Sequence, residues 1–183
     1  MYDLVIKNGE IYDGISSIPR YDNIYIKKGI IEEIGNIKNF TADKVINAEG
    51  YVVSPGFIDI HSHDDFHITK YPDSEGKISQ GVTTIVNGNC GYSPAPINRK
   101  FYSEFKETVI NLDPGLPFDW NSMDEYLELI NNNTLNVIQL VGHHTLRCAA
   151  MGLEDRKPTN YEIQIMQQLT DESMKSGAFG LST

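Results

Sequence analysis

The sequence predicts an α/β protein in which parallel strand-helix units follow a small all-β unit. Three observations carry that expectation. Residues 1–54 read as short strands cut by glycine turns, strands alternate with helical segments from Pro55 onward, and the first strand of that second region ends in His-x-His.

The amino-terminal region contains YDLVIKNG, EIYDG, NIYIKKG, IIEEIG and KVINAEGYVVSPG, with Gly9, Gly14, Gly29, Gly35 and Gly50 marking turns. Ile24 and Ile26 face one way and Tyr25 and Lys27 the other, the alternation of a half-buried strand. Such a unit is either the start of a β-sandwich or a β-rich appendage.

In the second region FIDIH forms strand one and VTTIVNG strand two. After GYSPAP a helix is predicted over 99–110, with Phe101, Phe105 and Val109 on one face. Ser122 and Glu125 form a capping box that opens a helix with Met123, Tyr126, Leu127 and Ile130 as its apolar stripe. The loop between them, NLDPGLPFDWN, has two prolines and the only tryptophan, and is expected to pack rather than float. NVIQLVG forms strand three and delivers His143 and His144 at its end. A second capping box, Thr159 to Glu162, opens a helix through Ser176 that Gly177 stops, and AFGLST begins strand four. A (β/α)8 barrel needs about 250 residues and eight strands. Four units are therefore part of a longer enzyme, are completed by a partner chain, or form an open doubly wound sheet; no G-x-G-x-x-G loop supports a nucleotide-binding version of the last.

A net charge of −10 over 183 residues, with no basic stripe, argues against a nucleic-acid partner. No apolar run reaches the ~20 residues of a membrane helix, and MYDLVIKNGE lacks the basic and apolar regions of a secretory signal. Two distant cysteines do not make a disulfide framework. A soluble cytoplasmic protein with no membrane partner is expected.

Strand periodicity puts His61 and His63 on one face, about 7 Å apart along the backbone. A bare His-x-His also reads as one buried and one solvated histidine. Cys90 shifts that balance, because it follows the Asn87-Gly88-Asn89 turn at the end of strand two and so reaches the same mouth; thiolate and imidazole together suit zinc. Cys148, inside TLRCAAMG, reads as a small buried apolar residue. Asp59 shares parity with the histidines one step deeper, either orienting a ligand or pairing with an interior Lys or Arg. Asp64 and Asp65 read as solvated acids or caps, and His67 as exposed. His143, His144 and Arg147 either line a substrate pocket, with Arg147 gripping a carboxylate, or tie loops together.

PGFIDIHSHDDF, GVTTIVNGNCGYSPAP, VGHHTLRCAAMG and MKSGAFGLST resemble successive motifs of the D-aminoacylase (N-acyl-D-amino-acid deacylase) branch of the amidohydrolase superfamily, from the opening LVIKNGEIYDG to the final residue. The resemblance implies that residues 55–183 are the first four βα units of a TIM barrel, the first half of a (β/α)8 fold. Residues 1–54 would begin a small β-sandwich-type composite domain. It further implies one or two zinc ions, with His61, His63 and Cys90 as metal ligands, Cys90 standing where most amidohydrolases use a carbamylated lysine. NVIQLVGHH and AFGLST contain no lysine, and Lys157 lies in the polar stretch EDRKP, which agrees with the cysteine version. The implied reaction is hydrolysis of the amide bond of a small-molecule N-acyl-D-amino acid. No catalytic residue is carried over, since the general base and two further histidine ligands are expected beyond Thr183. The alternatives are a catalytically incomplete fragment, a subunit of a split enzyme completed by a second chain, or a cyclic amidase of the dihydroorotase or hydantoinase type.

Overall fold

In a computed structural model that describes residues 1–112, 115 and 117–183, the chain divides into two compact units, Met1–Pro55 and Gly56–Thr183. Pro114, one of the two prolines of the predicted packing loop, lies outside the described residues.

The first unit is one five-stranded sheet with the order β3-β2-β1-β4 and β5 paired to β1. Its strands are β1 (Tyr2–Ile11), β2 (Arg20–Lys27), β3 (Ile30–Gly35), β4 (Ala42–Asn47) and β5 (Val52–Val53). β1 pairs antiparallel with β2 and parallel with β4 and β5. Lys28 and Gly29, both at positive φ (52° and 73°), turn the β2–β3 hairpin, the backbone sense that matches strand twist. Tyr25 is fully buried, its ring against Tyr2 and Phe40 and its hydroxyl accepting from the Ile37 N–H. Among the described residues this unit is a single sheet, and the second layer of the β-sandwich that the resemblance implies is not among them. Strand alternation reports which face is apolar and says nothing of how many sheets share it.

The second unit is a parallel four-stranded sheet, β6-β7-β8-β9, from β6 (Phe57–Asp59), β7 (Val82–Asn87), β8 (Asn136–Gly142) and β9 (Gly180–Ser182). Short helices α1 (His67–Lys70) and α2 (Glu75–Ile78) connect β6 to β7. A 3-10 turn at Arg99–Phe101 leads into α3 (Tyr102–Val109), and α4 (Met123–Leu129) precedes β8. Helices α5 (His143–Met151) and α6 (Asn160–Ser176) lie between β8 and β9. Both predicted capping boxes close as expected: Ser122 and Thr159 accept the third helical N–H of α4 and α6, and Glu125 and Glu162 reach back to the cap N–H. Gly177 ends α6 at φ 118°.

The core is strongly aromatic. Phe118 packs edge-on against Phe66, Phe105 and Trp120, and Trp120 against Tyr126. Each polar handle has a partner, since the Trp120 indole donates to Pro94 O at 2.8 Å and the Tyr126 hydroxyl to Asp65 O at 2.7 Å. The predicted packing of the tryptophan loop is therefore seen at Phe118 and Trp120. Tyr126 ties the segment after β6 to α4, and Trp120 ties the segment after β7 to the stretch just before α4; those two segments carry the site.

Candidate metal centre

β6 stops at Asp59, two residues short of His61, so the histidines lie just past the strand rather than within it. They still converge. Ser62, the residue between them, donates its N–H to Val86 O of β7 at 3.0 Å, extending the strand contact through the His-x-His segment. The ring centroids of His61 and His63 are 5.5 Å apart, edge to face.

Cys90 reaches them by a tight reversal after β7. Gly88, Cys90 and Gly91 all have positive φ, with Cys90 at 56°, a conformation that a non-glycine residue holds only when its surroundings fix it. The Asn89 amide does the fixing, donating to Ser62 O at 3.1 Å and to Val86 O at 2.7 Å. The cysteine turn is thus bonded directly to the peptide between the two histidines. Cys90 Sγ lies 3.3 Å from His61 Nε2, and one donor atom from each of His61, His63 and Cys90 falls within 4.8 Å of the others.

These residues fit a metal ion. Tetrahedral zinc with Zn–S of about 2.3 Å and Zn–N of about 2.0 Å places neighbouring donors about 3.5 Å apart, close to the separation of sulfur and imidazole here. Nδ1 of His63 is buried without a hydrogen-bond partner among the described residues, so that ring has an uncommitted nitrogen. Cys148 offers the contrast: it is buried in α5 and its thiol is pushed up to about 11 by burial, as an inert core cysteine should be.

Asp59 accepts the His61 N–H at 3.2 Å and pairs with Lys77 at 2.5 Å, so its carboxylate meets the backbone of a candidate ligand and a lysine rather than an imidazole. The Lys77 contact holds the Asp59 carboxyl below its usual range. Asp64 also pairs with Lys77, at 2.9 Å. Asp65 is 1% exposed rather than solvated; burial pushes its carboxyl up to about 7, against the pull of the Gln139 amide, which donates to it at 3.1 Å. His67 is exposed beside Tyr71, as expected.

His143 and His144 do not end β8; they open α5, whose first turn docks under the cysteine turn. Gly91 O accepts from the N–H groups of His144 and Thr145 at 2.9 and 3.2 Å. His143 is exposed. The His144 ring stacks on Tyr92 at 4.9 Å with Nε2 buried and unpartnered among the described residues, and burial lowers its pKa. Arg147 donates to Glu154 O and Arg156 O at 2.8 and 2.7 Å, which is the loop-tying arrangement rather than a guanidinium presented to a substrate.

Ser62, Lys77, Asn89 and Gln139 were not singled out by sequence reasoning. Asn89 enters the sequence analysis only as part of the turn before Cys90, and Lys77 only through the expectation that Asp59 pairs with an interior Lys or Arg.

The amidohydrolase family's sequence profile matches residues 44–183. This chain belongs to the amidohydrolase family. Over its full length this amidohydrolase chain is 36% identical to both an N-acyl-D-aspartate deacylase and a D-aminoacylase of Alcaligenes xylosoxydans xylosoxydans, covering 99% and 100% of this chain. Among solved structures it superposes on a D-aminoacylase studied for the functional role of its binuclear metal centre, with TM-score 0.90 and 38% identity. A zinc and phosphonate-inhibitor complex of an N-acyl-D-glutamate deacylase from Bordetella bronchiseptica gives TM-score 0.86 at 34% identity. The parallel sheet β6–β9 is accordingly a curled half-barrel. The chain spans 36–38% of the length of these relatives. No helix of the described residues is long and apolar enough to cross a membrane.

Proposed function

We propose that this chain carries the metal-binding, amino-terminal part of a zinc-dependent hydrolase that cleaves the amide bond of N-acyl-D-amino acids, with His61, His63 and Cys90 as metal ligands. The observation that carries the reading is the convergence of one sulfur and two imidazoles at the end of two adjacent parallel strands. Similarity to proteins named for N-acyl-D-amino-acid deacylation supplies the substrate class. A donor set of two imidazole nitrogens and one thiolate sulfur favours zinc over the harder cations, which prefer oxygen.

When bound, zinc polarises a carbonyl and brings the pKa of water down to about 7. The chain's own residues hold and orient. Asn89 and Ser62 lock the cysteine turn to the histidine segment, so the three donors arrive preorganised. His143 and His144, on the first turn of α5 beside the cysteine turn, are the residues assigned to the substrate; Arg147 is assigned to the loop it ties. Asp59 and Asp64 are committed to Lys77 and Asp65 to Gln139, so none of the three is assigned as proton acceptor. Exposed Phe57 and Ile58 on β6 and Leu181 on β9, the two edge strands, support the view that residues 56–183 form half of a larger barrel.

The test is a substrate panel on the zinc-loaded full-length protein that contains this chain. Release of free amine from N-acetyl-D-amino acids, with the L-enantiomers left intact, is the expected result. Ring opening of dihydroorotate or a hydantoin, with no turnover of any N-acyl-D-amino acid, would overturn the proposal in favour of a cyclic amidase.

A further inference from the structure

An ammonium group has three N–H donors, and Lys77 has three side-chain acceptors: Asp59 Oδ2 at 2.5 Å, Asp64 Oδ2 at 2.9 Å and Ser62 Oγ at 3.1 Å. In the chain these acceptors stand before, between and after His61 and His63. The clamp continues into the backbone, because Asp59 also accepts the His61 N–H and Ser62 Oγ accepts the Asp64 N–H at 3.3 Å. Lys77 lies on α2, which packs against β7, the strand that leads to Cys90. It therefore ties the histidine segment to the element delivering the sulfur.

We propose that Lys77 is a positioning residue for the metal centre, its ammonium fixing the segment that carries His61 and His63 so that both imidazoles meet Cys90 Sγ in ligand geometry. The inference rests on the metal reading of His61, His63 and Cys90 given above. Lys77 touches none of the three donors and acts only through its three acceptors. Its side chain is 26% exposed and those of Asp59 and Asp64 are 33% and 30%, so the clamp is partly shielded from solvent.

The sign of the effect separates positioning from simple electrostatics. A positive charge beside a cation site repels the ion, so removing it without loss of geometry tightens binding. Loss of positioning weakens binding, by the roughly 10–100-fold that partners behind a metal ligand are worth. The experiment titrates the purified protein with Co2+ and follows the thiolate-to-cobalt absorption band. Lys77→Met is expected to lower the apparent affinity about 10–100-fold and to alter the band, while Lys77→Arg, which keeps the charge and can span several acceptors, recovers part of the loss. Co2+ binding by Lys77→Met as tight as in the parent, or tighter, overturns the proposal. If Lys77→Met is too unstable to titrate, Ser62→Ala removes one acceptor and leaves no charge unpaired; weaker binding then supports the clamp and parental binding overturns it. Absence of the band in the unsubstituted protein would defeat the metal reading itself, and this inference with it.

Discussion

Gly142→Ala is expected to destabilise the second unit by about 3 kcal/mol, the upper end of what overpacking costs, and to abolish metal binding with it. A Cβ at Gly142 would lie 2.2 Å from Gly91 O, 2.4 Å from Gly91 C and 2.7 Å from Tyr92 C. All three are backbone atoms, so no side chain can swing aside. The loop they belong to is bonded to the start of α5 at several points. Gly142 N donates to Ser93 Oγ, Ser93 N donates to Thr145 Oγ1, and the Thr145 hydroxyl donates back to Ser93 O, all of them buried. Gly91 O caps the N–H groups of His144 and Thr145. Moving Gly91 aside would break those bonds and displace Cys90, its neighbour in the chain. Denaturant unfolding and a zinc titration on the same variant check both halves of the expectation; parental stability would show that the loop is held less tightly than these contacts require.

Cys90→Ala should leave the fold intact and still weaken metal binding. Cys90 is exposed, its position is set by Asn89 and the neighbouring glycines, and alanine has the same backbone preferences. Metal-free stability should therefore stay within about 0.5 kcal/mol of the parent. Zinc affinity should fall by more than the roughly 10–100-fold assigned to partners that do not touch the ion, because one of three donors is gone. The zinc-dependent rise in melting temperature should disappear in parallel. Together the two variants separate a loop that carries a ligand from the ligand itself. Unchanged zinc affinity in Cys90→Ala would remove the sulfur from the site.

Much of the fold was legible because its signals are local. The two capping boxes, the β-branched run of β7 and the glycine after α6 each act within a few residues, and each is found where it was expected. The convergence of His61, His63 and Cys90 was legible because parallel neighbouring strands bring the segments after them to one end of the sheet, although the histidines lie past β6 and are placed by the Ser62 bond to β7 rather than by strand period. Helix α5 was not. Its cap residue, Gly142, makes no side-chain bond, its interior is apolar on most faces, and its first N–H groups are satisfied by Gly91 from another segment. A helix begun by a tertiary contact leaves no start signal in its own residues. Asp65 is buried rather than solvated for the same reason: its partners Gln139 and Tyr126 come from β8 and α4, and nothing in HDDF foretells them. The Lys77 clamp likewise depends on α2 folding back over the histidine segment.

The central claim is that one thiolate and two imidazoles share a single divalent cation. X-ray absorption at the zinc edge of the protein loaded with one equivalent of metal addresses it directly. The account predicts one sulfur at about 2.3 Å with imidazole nitrogens at about 2.0–2.1 Å. A shell of oxygen and nitrogen alone, unchanged by Cys90→Ala, would contradict it.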